Sequence, residues 1–246
     1  MREPADLLHM LAQARAAGRP AVASVAPSFA GYLPDDPLKV LTALRGLGFC
    51  AVEETAAGIA LAAASRPGER AAGISSACPR VVRLIETEFP HLLPYLSPRP
   101  SALVAHCRDL RRRYGSDSLI VFFGPCRYKA WERHRHAEAA DLVITFDRLA
   151  RWLAAGLGDP KVARPARPAD ARPSAAEGAP GRVERIAVLQ TGIDGLVAVR
   201  RAVASGEALS GVELLACPGG CLGGPRETND AELVARRQRV LQWALG

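Results

Sequence analysis

Apolar residues at Leu7, Leu8, Leu11 and Ala14 follow the three-and-four spacing of a helix face and predict a helix over residues 4–17. Gly18 ends it and Pro20 bars its return. Residues 21–25 form a short unbroken apolar run, the pattern of a buried strand, that enters Ala26-Pro27-Ser28. A second helix is expected over 37–47, where Pro37 suits the first turn, then a short strand over 49–52 and an alanine-rich helix over 55–65. After Ser75-Ser76-Ala77-Cys78, Pro79 opens a helix carried by Val82, Ile85 and Phe89 to Pro90. A helix over 101–114 sets Leu103, Val104, Cys107 and Leu110 on one face. The apolar strand 118–123 enters Gly124-Pro125-Cys126, and strand 142–145 is followed by a helix over 147–155. Beyond a stretch rich in Pro, Ala, Gly and Arg, the pattern returns with a strand over 185–190, a helix over 193–204 and a strand over 212–216. The last of these runs into Cys217-Pro218-Gly219-Gly220-Cys221. Asn229 then caps a final helix to residue 245, with Glu232 three positions on.

Alternation of strands with helices predicts an α/β fold whose sheets are mainly parallel and covered by helices. The strand ends at Ala26-Pro27-Ser28 and Gly124-Pro125-Cys126 look alike, a hint of two similar lobes. Both loops, and the loop at Cys217, lie at carboxyl ends of strands, where α/β folds bind their ligands.

At 246 residues, 49% hydrophobic and 23% charged, the chain can bury a sizeable core. It has no apolar run of the roughly 20 residues that a membrane span needs. Its first residues lack the basic start and apolar run of a signal peptide, so the expected location is cytoplasmic. The net charge of +7 raises nucleic acid as a partner. However, part of the excess falls on Lys161, Arg164, Arg167, Arg172 and Arg182, and only 5% of residues are aromatic. A solvated linker over 158–182 accounts for that cluster better than a binding face, and nucleic acid is disfavoured.

Six cysteines in a cytosolic chain point to metal or redox chemistry rather than to a disulfide framework. Cys217 and Cys221 flank Pro-Gly-Gly, and Gly223-Gly224 follow. Glycines there, Gly219 and Gly220 above all, let the backbone close around something bulky and aim N–H groups at sulfur. Cys126 ends a buried strand, and Cys78 stands at a helix start, where N–H groups favour a thiolate. Four thiolates suit zinc or an iron–sulfur cluster equally by count, but the paired Cys-x-x-Cys knuckles of structural zinc are missing. Cys50 and Cys107 are expected as core fillers, and His134 and His136 as surface residues.

These cysteine environments resemble those of the catalytic domain of iron-only (iron–iron) hydrogenases. Ser75-Ser76-Ala77-Cys78-Pro79 resembles the family's Thr-Ser-Cys-Cys-Pro, and Gly124-Pro125-Cys126-Arg127-Tyr128-Lys129 its Pro-Cys-x-x-Lys. Ala216-Cys217-Pro218-Gly219-Gly220-Cys221 matches its last motif nearly letter for letter. Ala26-Pro27-Ser28 is similar to the Ala-Pro loop beside the family's active site, and Phe89-Pro90 with Leu92-Leu93-Pro94 to its Pro-Glu-Leu segment. The resemblance implies two intertwined lobes with a cluster at their interface. One lobe would span roughly 1–75 plus 183–246 and the other roughly 76–157. It implies a 4Fe–4S cluster held by Cys78, Cys126, Cys217 and Cys221, with Cys221 able to bridge to a two-iron subcluster. It also implies that Lys129 hydrogen-bonds a ligand of that subcluster.

The departures matter as much. Ala77 stands where active members keep a proton-shuttling cysteine, and the helix over 55–65 lacks their paired glutamates. Gly124 and Leu215 replace methionines that pack around the two-iron site. The resemblance with these losses implies a hydrogenase-like iron–sulfur protein that senses redox state or gas, or transfers electrons. Its partner would be a ferredoxin-like protein or a signalling protein. A slow hydrogenase with a separate electron donor, and an iron–sulfur assembly or structural protein, are the alternatives. Residues 159–181 carry almost nothing apolar larger than Ala and Val, so burial there cannot offset ordering entropy. Deleting part of that stretch is expected to leave cluster content unchanged, measured as iron and sulfide per chain.

Overall fold

The computed structural model describes residues 4–64, 73–156, 193–205, 212–224 and 229–245. Four strands, β1 (Ala21–Val25), β2 (Ala51–Glu54), β3 (Leu119–Gly124) and β4 (Leu142–Thr145), form one sheet in the order β2-β1-β3-β4, parallel throughout. The central pair β1 and β3 is buried along its whole length, which is why both read as unbroken apolar runs. The helices are α1 (Pro4–Ala16), α2 (Phe29–Tyr32), α3 (Pro37–Gly46), α4 (Ala57–Ala64), α5 (Pro79–Glu88) and α6 (Ala102–Tyr114). They continue with α7 (Glu132–Arg135), α8 (Phe146–Ala154), α9 (Ile193–Ala204), α10 (Gly220–Gly223) and α11 (Asp230–Leu245). None is long and apolar enough to cross a membrane among the described residues.

Local chemistry sets the helix starts. Asp36 accepts from the Leu38 N–H at 2.8 Å with Pro37 in the first turn of α3. Ser101 accepts from Val104 at the start of α6, and three arginines in its last turn meet the negative end of the helix dipole. Asn229 caps α11 through the Glu232 N–H at 2.8 Å. The Glu232 side chain turns to Arg236 instead of back to Asn229, so only half of a capping box forms.

The main core runs from Leu7 and Leu11 through β1 and β3 to Phe146, Leu149 and Trp152. A second core gathers Ile74, Val81, Ile85 and Leu92 with Leu196, Val199, Val212 and Leu214. Here the strand expected over 212–216 is a correction: the segment is reduced to bridge pairing at its start, and among the described residues Val212 bridges Ile74 in parallel, which also bridges Leu96. Ile74, fully buried, is the shared partner of both neighbours. The strand expected over 49–52 starts later, at Ala51. Phe49 instead packs edge-on against Phe123 at 5.9 Å between ring centres, and pairing runs on from Val22↔Ala51 to Val25↔Glu54. Cys50, expected as a core filler, is exposed, because β2 is an edge strand and its neighbours Phe49 and Ala51 take the buried positions. The expected strand 185–190 and the linker 158–182 lie outside the described residues.

Helix α4 packs so closely on α6 that a Cβ at Gly58 would overlap the Ala102 carbonyl. Beneath that contact lies a polar chain. Ser24 Oγ is 2.7 Å from Thr55 Oγ1 and 3.0 Å from Nδ1 of the fully buried His106. His106 Nε2 stands 3.5 Å from Glu53, too long to count as a good hydrogen bond. Glu53 also accepts from Arg113 and, at 2.7 Å, from Tyr114. Burial alone would raise the Glu53 pKa, but these donors together hold it well below the ordinary 4.5. A depressed carboxylate contributes stability above its unfolded pKa and loses it as pH falls below about 4.5. Glu53→Gln is therefore expected to destabilise the protein at pH 7 by about 1–3 kcal/mol, the cost of unpairing a partly buried network. The difference should shrink as acid is added, as read by urea melts across that range. Equal melts of parent and variant at pH 7 would count against this role.

Candidate functional site

Cys78 and Cys126 sit at the ends of elements, and Cys217 and Cys221 flank a glycine turn. Cys78 precedes α5 in extended backbone, makes no side-chain cap bond, and has Pro79 behind it. Cys126 follows β3 and opens a 3-10 turn over Arg127–Trp131, again from extended backbone. Cys217 accepts the Gly220 N–H at 2.9 Å through its carbonyl, closing a turn in which Gly219 and Gly220 are both left-handed, at φ +70° and +64°. Two consecutive left-handed residues are a glycine conformation. Cβ atoms there would press on Leu233 and Leu215 in addition. Cys221 then lies in α10.

The thiols share one electrostatic neighbourhood although they come from three distant parts of the chain. Burial first, then the charges of Cys78 and Cys217, raise the Cys126 pKa against the opposing Tyr128 N–H and Lys129. Burial and Cys78 raise that of Cys217, while Arg80, which also hydrogen-bonds it, pulls it down. Cys221 is exposed as a residue, but burial of its thiol is the leading cause that pushes it up to about 11, with Cys78, Cys126 and Cys217 adding and Lys129 opposing. Among the described residues no three His, Cys, Asp or Glu side chains converge closely enough to hold a single metal ion. All six cysteines are free thiols.

Lys129 reaches across this group. Its Nζ donates to the Ala77 carbonyl at 3.0 Å and to Glu132 Oε1 at 2.9 Å. An ammonium has three N–H bonds, so one remains for a ligand. The Ala77 N–H donates to Ser75 Oγ, and Ser76 Oγ to the Arg99 carbonyl, which fixes the segment entering Cys78. At Gly124 a Cβ would overlap the Phe122 ring, so the ring fills the space a larger residue would need.

Ala26 donates its N–H to Phe123 at 2.8 Å, placing Ala26-Pro27-Ser28 beside the β3 end that leads to Cys126. Ala26 and Ser28 are buried and Pro27 is half-buried. The C-terminal helix ties the glycine turn to this edge. Arg236 donates to the Leu222 carbonyl at 2.7 Å and lies over the Tyr32 ring at 4.3 Å, while Arg239 donates to the Gly31 carbonyl. Trp243 donates to Glu54 at 2.8 Å and meets Phe29 edge-on. Glu132, Arg80 and Arg236 went unnoticed as site residues, and only the position of Glu132 three residues after Lys129 could have flagged one of them. His134 is exposed as expected, and His136 is half-buried.

The fold is that of hydrogenase catalytic domains. A variant of HydA1 from Chlamydomonas reinhardtii superposes with a TM-score of 0.64 at 19% identity, over 90% of this chain and 84% of that one. A structure concerning stepwise FeFe-hydrogenase H-cluster assembly, HydA(deltaEFG), gives 0.63 at 20% identity with the same coverage. One concerning oxygen inactivation of FeFe-hydrogenase and degradation of the H cluster 2Fe subcluster gives 0.62 at 20% identity, again with 90% and 84% covered. Residues 19–179 match the family described as iron only hydrogenase large subunit, C-terminal domain, and the chain belongs to that family. The family match ends before Cys217 and Cys221. No curated protein matches the sequence.

Cys107 offers a control on the site. Burial, ahead of the opposing charge of Arg111, pushes its thiol up to about 12. Because the thiolate is the reactive form, Cys107 should resist iodoacetamide at pH 8 in the folded protein and label in urea, as read by peptide mass spectrometry. Labelling as fast as Cys50 in the folded protein would contradict its burial.

Proposed function

We propose that the chain is a cytoplasmic, hydrogenase-like iron–sulfur protein that holds a 4Fe–4S cluster through Cys78, Cys126, Cys217 and Cys221. Its role on this reading is redox or gas sensing, or electron transfer, rather than rapid hydrogen turnover. The observation that carries the proposal is the mutual field of the four thiols, which arrive from three separate parts of the chain. In a cubane each thiolate binds its own iron, so the sulfurs surround the group instead of meeting at one point. The residues fit it further. The turn between Cys217 and Cys221 has the left-handed backbone that only its glycines adopt freely, and Lys129 and Arg80 offset thiolate charge.

Bound there, a cubane supplies one-electron redox chemistry. The chain's own residues shape it. Arg80 hydrogen-bonds Cys217, the Tyr128 N–H donates to Cys126, and both lower the basicity of sulfur. Cys221 could bridge to a two-iron subcluster, toward which the remaining N–H of Lys129 would point as donor. Ala77 carries no proton, and Phe122 occupies the room beside Gly124, so this chain is poorly equipped to feed such a subcluster. An electron-transfer protein of the ferredoxin type, or a signalling protein, is the partner this chemistry suits.

Anaerobic reconstitution followed by iron and sulfide analysis and paramagnetic resonance tests the proposal. About four irons and four sulfides per chain are expected. Cys126→Ser or Cys217→Ser should abolish the signal, and Cys50→Ser should spare it. Uptake of one zinc and no sulfide would overturn it. If a two-iron subcluster is installed by accessory proteins, hydrogen evolution from reduced viologen should be weak, and Ala77→Cys should raise it. The final proton carrier is typically worth about 10²–10⁴-fold. Fast turnover by the unmodified chain would defeat the sensing reading.

A further inference from the structure

Glu132 is 4% exposed, and only one of its oxygens is accounted for. Oε1 accepts from Lys129, whereas Oε2 has no hydrogen-bond partner within the protein. A buried carboxylate oxygen left bare is costly unless water or a proton completes it. Glu132 also lines a cavity of about 80 Å³ with Ser76, Ser97, Trp131 and His136. A water needs about 10–15 Å³ of such space, so the cavity has room for several.

The charges around Glu132 are mixed. On its own segment stand Lys129, Arg133, Arg135 and His136; Arg135 is drawn off to Glu86 of α5. Arg99 lines the cavity from the loop before α6, and Cys107, which shares the field of Lys129 and Glu132, faces the pair from α6 together with Arg111. Asp141 contributes from the start of β4 but is bound to Arg111 and Arg133. Arg80 of α5 lies over Tyr128 and reaches Cys217. Lys129 is the group that connects Glu132 to the cysteines, since its charge acts on both Cys126 and Cys221. While Glu132 is ionised, it cancels that charge. Once Glu132 is protonated, the ammonium is left free to offset negative charge at the cysteines.

We propose that Glu132 is a proton-exchanging carboxylate coupled to the redox state of the cysteine site. Were a bound cluster to accept one electron from a one-electron donor, Glu132 would take up one proton from bulk solvent, relayed by water in the cavity, and both would leave on reoxidation. The added negative and positive charges then balance across Lys129. The route is separate from the one that Ala77 interrupts, because it ends at the Lys129–Glu132 pair and delivers no proton to a substrate. The inference rests on the iron–sulfur reading above.

The test uses the full chain, reconstituted anaerobically and first assayed for iron and sulfide. Absence of both overturns the iron–sulfur reading itself. In loaded protein, the midpoint potential in a mediated titration with dithionite should fall as pH rises, with a slope approaching about 59 mV per unit for one proton and one electron. A loaded protein with a flat profile overturns the proton coupling alone. Glu132→Gln should load, lose the slope, and hold the potential that the parent shows at low pH. Glu132→Asp should keep a slope. A merely structural role for Glu132 would shift the potential and leave the slope, and a slope surviving in loaded Glu132→Gln overturns the assignment. Should that variant fail to fold, reduced-minus-oxidised infrared spectra of the unmodified protein decide. A carboxylic acid band that appears on reduction and shifts in heavy water supports the proposal, and its absence overturns it.

Discussion

Parallel pairing of β1 with β3 brings Val25 level with Phe123, so the chain leaves both strands at one edge and both exits become loops facing the same side. Much else depends on this register. It sets Ala26 against the Phe123 carbonyl and delivers Cys126 beside the first loop. A ligand in an open parallel sheet sits beyond the carboxyl ends of its strands, the edge at which Cys126 leaves β3. A slip of one residue would exchange the faces of β1 and put the wholly buried Ser24 away from His106 and Thr55. The polar chain under α4 therefore helps to specify the register as well as to satisfy its own groups.

Charge is arranged around the site with the same economy. The thiols of Cys126, Cys217 and Cys221 are all held toward the neutral form, mainly by burial. Ligation needs thiolates, so on the proposed reading loading would release protons and place negative charge among these half-buried groups. Lys129 and Arg80 stand ready to meet that charge, and Arg80 does so while resting on Tyr128. Membership of the iron-only hydrogenase family agrees with this arrangement, although the solved relatives, near 20% identity, speak only to the fold.

The elements with the strongest periodicity were legible from the sequence. The central strands, the helix starting at Pro79 and the helix capped by Asn229 fall where apolar spacing and cap residues put them. Edges were less legible. Glu53 and Glu54 read as the end of a strand, yet they continue β2 because Arg113, Tyr114 and Trp243 arrive from far along the chain to satisfy them. Val212 to Leu214 has strand composition, and among the described residues Val212 bridges Ile74. At the candidate site, the cysteines announce themselves by their glycine and proline neighbours. Glu132 and His106 do not, since a lone Glu in a charged stretch and a lone His on an arginine-rich helix look like surface residues until their burial is seen.

The clasp made by Arg236 and Arg239 has a consequence for biosynthesis. A ribosome adds about 5–20 residues per second, so Cys78 and Cys126 are made on the order of ten seconds before Cys221. The sheet edge can form in that interval, but the glycine turn is fastened to it only when Arg236 grips the Leu222 carbonyl and Tyr32. Until then the nascent chain presents two thiols of a possible four. Any cluster loading would accordingly wait for the last helix, the latch that completes the site before the cargo arrives.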